Sequence, residues 1–146
     1  MQVRSSAETL DEVIERYHAA LDPFLRGEPE PMKALFSHQD DVVLANPFGP
    51  AGRGWEAVSE RLEHASSRFR GGKLEGAERL ASYVAADLAT IFVVERGTVS
   101  VGGGPVNGWV LRTTTTFRHE DGAWKVVHRH ADPINTDNDE GPLRTT

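Results

Sequence analysis

His128-Arg129-His130-Ala131-Asp132 gathers, within five positions, the residue types from which chemistry is usually built. In an extended strand alternate side chains project to opposite sides, so His128, His130 and Asp132 share one face and Arg129 points to the other. Two histidines and a carboxylate are the beginning of a metal site. No third histidine joins them, because His119 falls on the opposite face in the pairing given below. The expectation is therefore no metal, with the histidines hydrogen-bonded to Thr114 or to backbone and Arg112 beside His130. Arg129 shares its face with Trp109, Phe117 and Val127. A guanidinium among apolar groups is costly unless paired. Two readings stay open for it: it grips the carboxylate or enolate of a ligand through its fork of donors, or it pairs with a helix carboxylate such as Glu12 or Glu15.

Other chemistries find no support. The chain has no cysteine, which removes disulfides, thiol nucleophiles and thiolate metal sites and fits a cytoplasmic location. There is no Gly-x-Ser-x-Gly elbow for a serine hydrolase. Gly102-Gly103-Gly104-Pro105 lacks the Lys-Ser/Thr ending of a phosphate loop and lies between strands, so it reads as a turn. A formal charge of -6, with Lys and Arg scattered, argues against nucleic acid as a partner. No apolar run is long enough for a membrane span, and Met1 to Ser6 lacks the apolar stretch of a signal peptide.

The elements that must hold these residues fall into two halves. Ser5/Glu8 and Thr9/Glu12 both read as capping boxes. Leu10, Val13, Ile14, Tyr17 and Leu21 then recur at helical spacing, which predicts one long amphipathic helix. A short helix follows Pro31, with Met32, Leu35 and Phe36 apolar. Residues 41–45 read as a short strand, and the Pro- and Gly-rich stretch from Asn46 to Gly54 as a loop. Trp55, Val58, Leu62, Ala65 and Phe69 mark a third helix, ended by Gly71-Gly72. From there the chain is rich in Val, Thr and aromatics, with strands expected over 73–84, 88–101, 106–118 and 123–131. Short connections between them imply adjacent antiparallel strands. Helices first and strands afterwards is the α+β pattern, in one domain over 1–132 followed by a polar tail over 133–146.

Glu120-Asp121-Gly122 suits a three-residue hairpin loop. That pairing sets His119 opposite Ala123, Arg118 opposite Trp124, Thr114 opposite His128 and Arg112 opposite His130. One face then carries Arg112, Thr114, Thr116, Trp124, Val126, His128 and His130. The other carries Trp109, Leu111, Thr113, Thr115, Phe117, Val127 and Arg129. A two-residue turn would shift the register by one and mix the sets.

The run from Leu111 to Asp132, with Asp121-Gly122-Ala123-Trp124-Lys125-Val126-Val127-His128-Arg129-His130 at its centre, resembles the last hairpin of SnoaL-like proteins. These belong to the nuclear transport factor 2-like, ketosteroid-isomerase-like superfamily. The segment is also similar to the end of the association domain of calcium/calmodulin-dependent kinase II. Asn46-Pro47-Phe48-Gly49 ahead of the helix at Gly54-Trp55, and the order of elements over nearly the whole chain, carry the same resemblance. It implies a cone: a curved antiparallel sheet wrapped around a long N-terminal helix and two shorter helices, with a pocket at the open end. It also implies a homodimer meeting sheet to sheet, here through the Arg112, Thr114, His128 and His130 face.

Isomerases and cyclases of this kind use an acid in the cone as a base. Asn46 stands where related domains often carry an acid or another polar group, and Asn cannot be a general base. His18, His38 or a helix carboxylate are the remaining groups for that role, and no catalytic residue is assigned. The expected ligand contacts are Tyr17, Asn46, Phe48, Trp55, Trp109, Thr113, Thr115, Phe117 and Arg129, although Tyr17, Phe48 and Trp55 have spacings equally suited to core. The function expected is binding of an apolar oxygenated small molecule, or a cofactor-free isomerase, lyase or cyclase acting on one. The alternative is a dimerising or accessory domain with no reaction of its own.

Overall fold

The computed structural model describes residues 7–136. Thr9 caps the first helix, α1 (Leu10–Ala19), through the reciprocal bonds of a capping box, Glu12 N to Thr9 Oγ1 at 3.2 Å and Thr9 N to Glu12 Oε1 at 3.1 Å. The Ser5 half of the other box lies outside the described residues. The helix expected as one long rod comes in two pieces: α1 stops at Ala19 and the single turn α2 (Leu21–Phe24) follows Ala20. Pro23 sits inside that turn, where its ring occupies a position with no helical N–H to lose. Next come α3 (Glu30–Leu35), with Pro31 in its first turn, then β1 (Val43–Ala45), β2 (Gly52–Arg53) and α4 (Trp55–Ser67), the longest helix among the described residues.

Four long strands complete the fold: β3 (Phe69–Val84), β4 (Leu88–Val101), β5 (Val106–Glu120) and β6 (Ala123–Asp132). They form one six-stranded, curved and unclosed sheet in the order β2-β1-β6-β5-β4-β3. All neighbours are antiparallel except β1 and β6, which run parallel. The four helices lie against its concave side, and Val13, Ile14, Tyr17, Leu35, Val58 and Leu62 from them meet Ile91, Val93, Phe117 and Val126 from the strands in a single core. Alternation explains the sheet's share: in β4 every second residue from Ala89 to Val99 is buried, and in β5 Thr113, Thr115 and Phe117 are. Phe69 is not part of α4 as its periodicity suggested, and the Gly71-Gly72 pair does not form its end. The helix closes at Arg68, Phe69 opens β3, and the two glycines lie within that strand at a register shift opposite β4.

The last hairpin differs from expectation at two places, each by one residue, and together they shift the pairing by two. The turn has two residues, not three: Glu120 faces Ala123, His119 faces Trp124 and Arg118 faces Lys125. Asp121 (φ 52°) and Gly122 (φ 80°) both take left-handed backbone, the requirement of a type I′ turn, whose twist matches that of paired strands. Val126 then pairs with Phe117 and is fully buried, so Val126 and Trp124 belong to the inner side and not the outer. A bulge at Val127 adds one residue, after which Thr116 pairs with His128, Thr115 with Arg129 and Thr114 with His130. Beyond the bulge the offset from the expected pairing is two residues, which preserves faces. Thr113, Thr115, Phe117 and Arg129 are therefore buried inside, while His128 is half-buried and His130 exposed outside.

Candidate functional site

The concave side encloses a cavity of about 530 Å³. Its walls are almost wholly apolar: Leu21, Leu25, Met32 and Leu62 from the helices, Val99 and Trp109 from the sheet. Half-exposed Phe48 and the exposed Val101, Val110 and Asn135 stand at its mouth. Two charged side chains reach its lining, Glu95 from β4 and Arg129 from β6.

These two residues bond to each other. Arg129 Nη1 donates to Glu95 Oε2 at 2.9 Å and Nη2 donates to Oε1 at 2.9 Å. Glu95 is fully buried and Arg129 nearly so. Arg129 Nη1 also donates to the Tyr17 hydroxyl, which shares a 2.9 Å bond with Thr115 Oγ1. Since the guanidinium can only donate, the Tyr17 oxygen accepts from it and its own proton goes to Thr115. Thr113 Oγ1 donates to Val93 O at 3.0 Å and lies 3.5 Å from Glu95 Oε2. Burial works against the Arg129 charge, but the Glu95 carboxylate and then Tyr17 outweigh it, so its pKa is raised. Burial pushes the Tyr17 phenol up, opposed by Arg129, and keeps it protonated. The floor of the cavity is thus a closed, charge-neutral network whose donors and acceptors satisfy one another.

Neither partner foreseen for Arg129 is the one it has: the carboxylate comes from β4, not from Glu12 or Glu15 on α1. Glu95 was missed by the sequence reading, yet β4 carries its signal. Ala89, Ile91, Val93 and Val99 are the buried positions of a period-two series, and Glu95 occupies the same phase. An acid at a core position of such a series needs a buried cation.

His18, next to Tyr17 on α1, brings its Nε2 to 4.0 Å from Glu95 Oε2. That nitrogen is buried and has no hydrogen-bond partner. Burial lowers the His18 pKa from its ordinary value, with Glu95 pulling the other way and Arg129 and Arg79 adding to the depression. His38 is elsewhere: it is exposed, stacked on Trp55 at 3.8 Å between ring centroids, with Nε2 3.1 Å from Lys33 O.

The remaining expected contacts divide. Asn46, Phe48, Trp109 and Arg129 line the cavity. Tyr17, Thr113 and Thr115 lie beneath it, in the hydrogen-bonded floor. Phe117 packs edge-on against Tyr17 at 5.6 Å and is fully buried core. Trp55 is not among the lining residues; it packs on the outside of the core with His38. Asn46 has a local task, its Oδ1 accepting from Phe48 N at 3.0 Å, an Asx-type turn that sets the loop. Trp109 lies across the ladder from Gly97, where a Cβ would come within 2.8 Å of its Cζ2. Its indole N–H is buried and unpaired. Among the described residues no group of three or more His, Cys, Asp or Glu is placed to hold a metal. Nor is any helix there long and apolar enough to cross a membrane.

Solved structures share this fold. A candidate calcium/calmodulin-dependent protein kinase type II association domain from Thiobacillus denitrificans superposes with a TM-score of 0.70 at 19% identity, covering 90% of this chain and 100% of that one. A ketosteroid isomerase-like protein from Erwinia carotovora atroseptica gives 0.70 at 20% identity over 87% and 95%. A candidate scytalone dehydratase from Novosphingobium aromaticivorans gives 0.69 at 19% identity over 88% and 93%. At these identities the likeness is one of fold. A search of curated protein sequences gives no match. The model of the SnoaL-like domain matches residues 10–134, from the first residue of α1 to just past the end of β6, and the chain belongs to that family.

Proposed function

We propose that this protein binds a small, largely apolar, oxygenated molecule inside the cone, and that any reaction it performs on that molecule is a cofactor-free isomerisation, elimination or cyclisation. The observation that carries the reading is the cavity itself: about 530 Å³ of apolar wall meeting a polar floor at Glu95 and Arg129. That is the usual make-up of a small-molecule site, apolar surface for affinity and a few fixed polar groups for orientation. Both Glu95 oxygens accept from Arg129. A carboxylate so engaged is a poor free base, which ranks binding ahead of catalysis. A cytoplasmic location belongs to the same reading.

A thermal-shift panel of ring-containing ketones, acids and alcohols tests it. A ligand of the cavity raises the melting temperature saturably, by the equivalent of about 2.7 kcal/mol at one hundred times its Kd. Leu111→Trp, which places an indole in the lining, abolishes the response. A panel without any saturable response, or responses indifferent to Leu111→Trp, would sink the reading.

The proposal extends to assembly through the outer side of the sheet, a reading supported by Phe92 and Val94, which stand half-buried there beside Thr114, His128 and exposed His130. Arg112 on that side already pairs with Asp132, at 2.8 and 2.9 Å, so its role at the interface is through that pair. Light scattering at micromolar concentration is expected to give twice the monomer mass, and a monomer mass rejects the dimer. The accessory-domain alternative shares this interface and differs in predicting no ligand response.

A further inference from the structure

We propose that a second depression, between α4 and the loop from Asn46 to Gly54, seats the carboxylate of the ligand whose apolar body fills the cavity; this rests on the binding role proposed above. The groove has a volume of about 360 Å³. Asn46, Phe48 and Ala65 line both it and the main cavity, so the two are neighbours separated by the half-exposed Phe48 ring. Its charged side chains are Glu60 and Arg61, with the His64 imidazole beside them.

Arg129 cannot serve as the anion site, because Glu95 already neutralises it. Arg61 is placed for that task. It lies one helical turn from His64, so the two side chains leave α4 on the same side. Its Nε is buried and has no hydrogen-bond partner. The loop is shaped around it: a Cβ on Gly52 would stand 2.6 Å from Arg61 Nε and 2.8 Å from Cδ, and one on Gly49 would stand 3.4 Å from Nη1. The loop at Gly52 covers Nε, so an incoming acceptor meets the Nη end of the guanidinium, which offers its paired donors to a carboxylate. Glu60, exposed at the rim, sets a limit on that acceptor. A second negative charge would be repelled there, so the groove suits a singly charged carboxylate over a phosphate.

The test is titration calorimetry at pH 7.5 on the full chain, with 1-naphthaleneacetate and decanoate against their neutral amides, and with inorganic phosphate. The acids are expected to bind at least about tenfold tighter than the amides, and phosphate alone not to compete. Arg61→Gln removes that tenfold preference. Gly52→Ala keeps the arginine but pushes it aside, and reduces the preference without touching α4. Equal affinity for acid and amide, unmoved by Arg61→Gln and Gly52→Ala, overturns the groove while leaving the cavity reading intact. Acid binding that is lost in Arg61→Gln but survives Leu111→Trp supports the groove and rejects the cavity. Failure of all four ligands to bind overturns the groove as well.

Discussion

Arg129 of β6 and Glu95 of β4 reach across the intervening strand β5 to form a two-pronged ion pair, both prongs 2.9 Å long, on the floor of an apolar cavity. Thr113 and Thr115 of β5, with Tyr17 of α1, close the network around it. The pair ties three strands to a helix at one point, and its behaviour on mutation follows from its burial.

Removing one partner leaves the other as an unpaired buried charge. Arg129→Met and Glu95→Leu alone should each lower unfolding free energy by about 3–5 kcal/mol. The double replacement Glu95→Leu with Arg129→Met should cost less than either, because no charge is stranded. Urea denaturation of the four proteins gives the coupling as a double-mutant cycle. Additive losses would show that the pair does not act as a unit.

Tyr17→Phe keeps the ring against Phe117 and deletes only the hydroxyl. One Arg129 donor and Thr115 Oγ1 then lose a partner in a site without solvent. The expected cost is about 1–3 kcal/mol by chemical denaturation, with the fold retained by circular dichroism. A loss below a few tenths would mean that the hydroxyl is not held in this network.

The His18 and His128 pKa values are both lowered by burial from the ordinary 6.5, with His130 adding to the effect at His128. A depressed folded-state pKa means the unfolded chain takes up protons first. The stability these neutral histidines contribute is fully present above pH 6.5 and is lost as pH falls through their folded-state values. Melting temperature should therefore drop between pH 7 and 5, and His18→Gln should flatten part of that drop. An unchanged slope in His18→Gln would show that His18 titrates freely.

Gly122 has φ 80° at the second central position of the β5–β6 turn, where an L side chain is strained. Gly122→Ala should destabilise by about 1 kcal/mol or more, and Asp121→Gly by less, since Asp tolerates the left-handed region. Thermal unfolding of the two variants checks the order. The reverse order would mean that the turn is not type I′ in solution.

Much of this molecule was legible in the residues. The Thr9/Glu12 capping box and the Val-, Thr- and aromatic-rich runs from residue 73 onward are local signals, and each led to the element found; the Pro- and Gly-rich stretch 46–54, read as a loop, also holds the two-residue strand β2. The inward direction of Arg129 followed from alternation together with the family resemblance, which implied that its face is the interior. Other features depended on which strands became neighbours. The expected turn was one residue too long and the bulge at Val127 was unforeseen, because a bulge arises where two distant strands fit their cores together, not from the sequence of either. Trp55 had a spacing that suited core as well as cavity, and packing set it against the core and His38. Glu95 showed as an acid in a core phase, but its partner lies 34 positions away in the chain. Local periodicity decides the side of a strand on which a residue lies. Only the assembled sheet, which sets register and the order of strands, decides which buried charge it meets there, and so turns Arg129 from a free anion-binding group into half of a neutral pair.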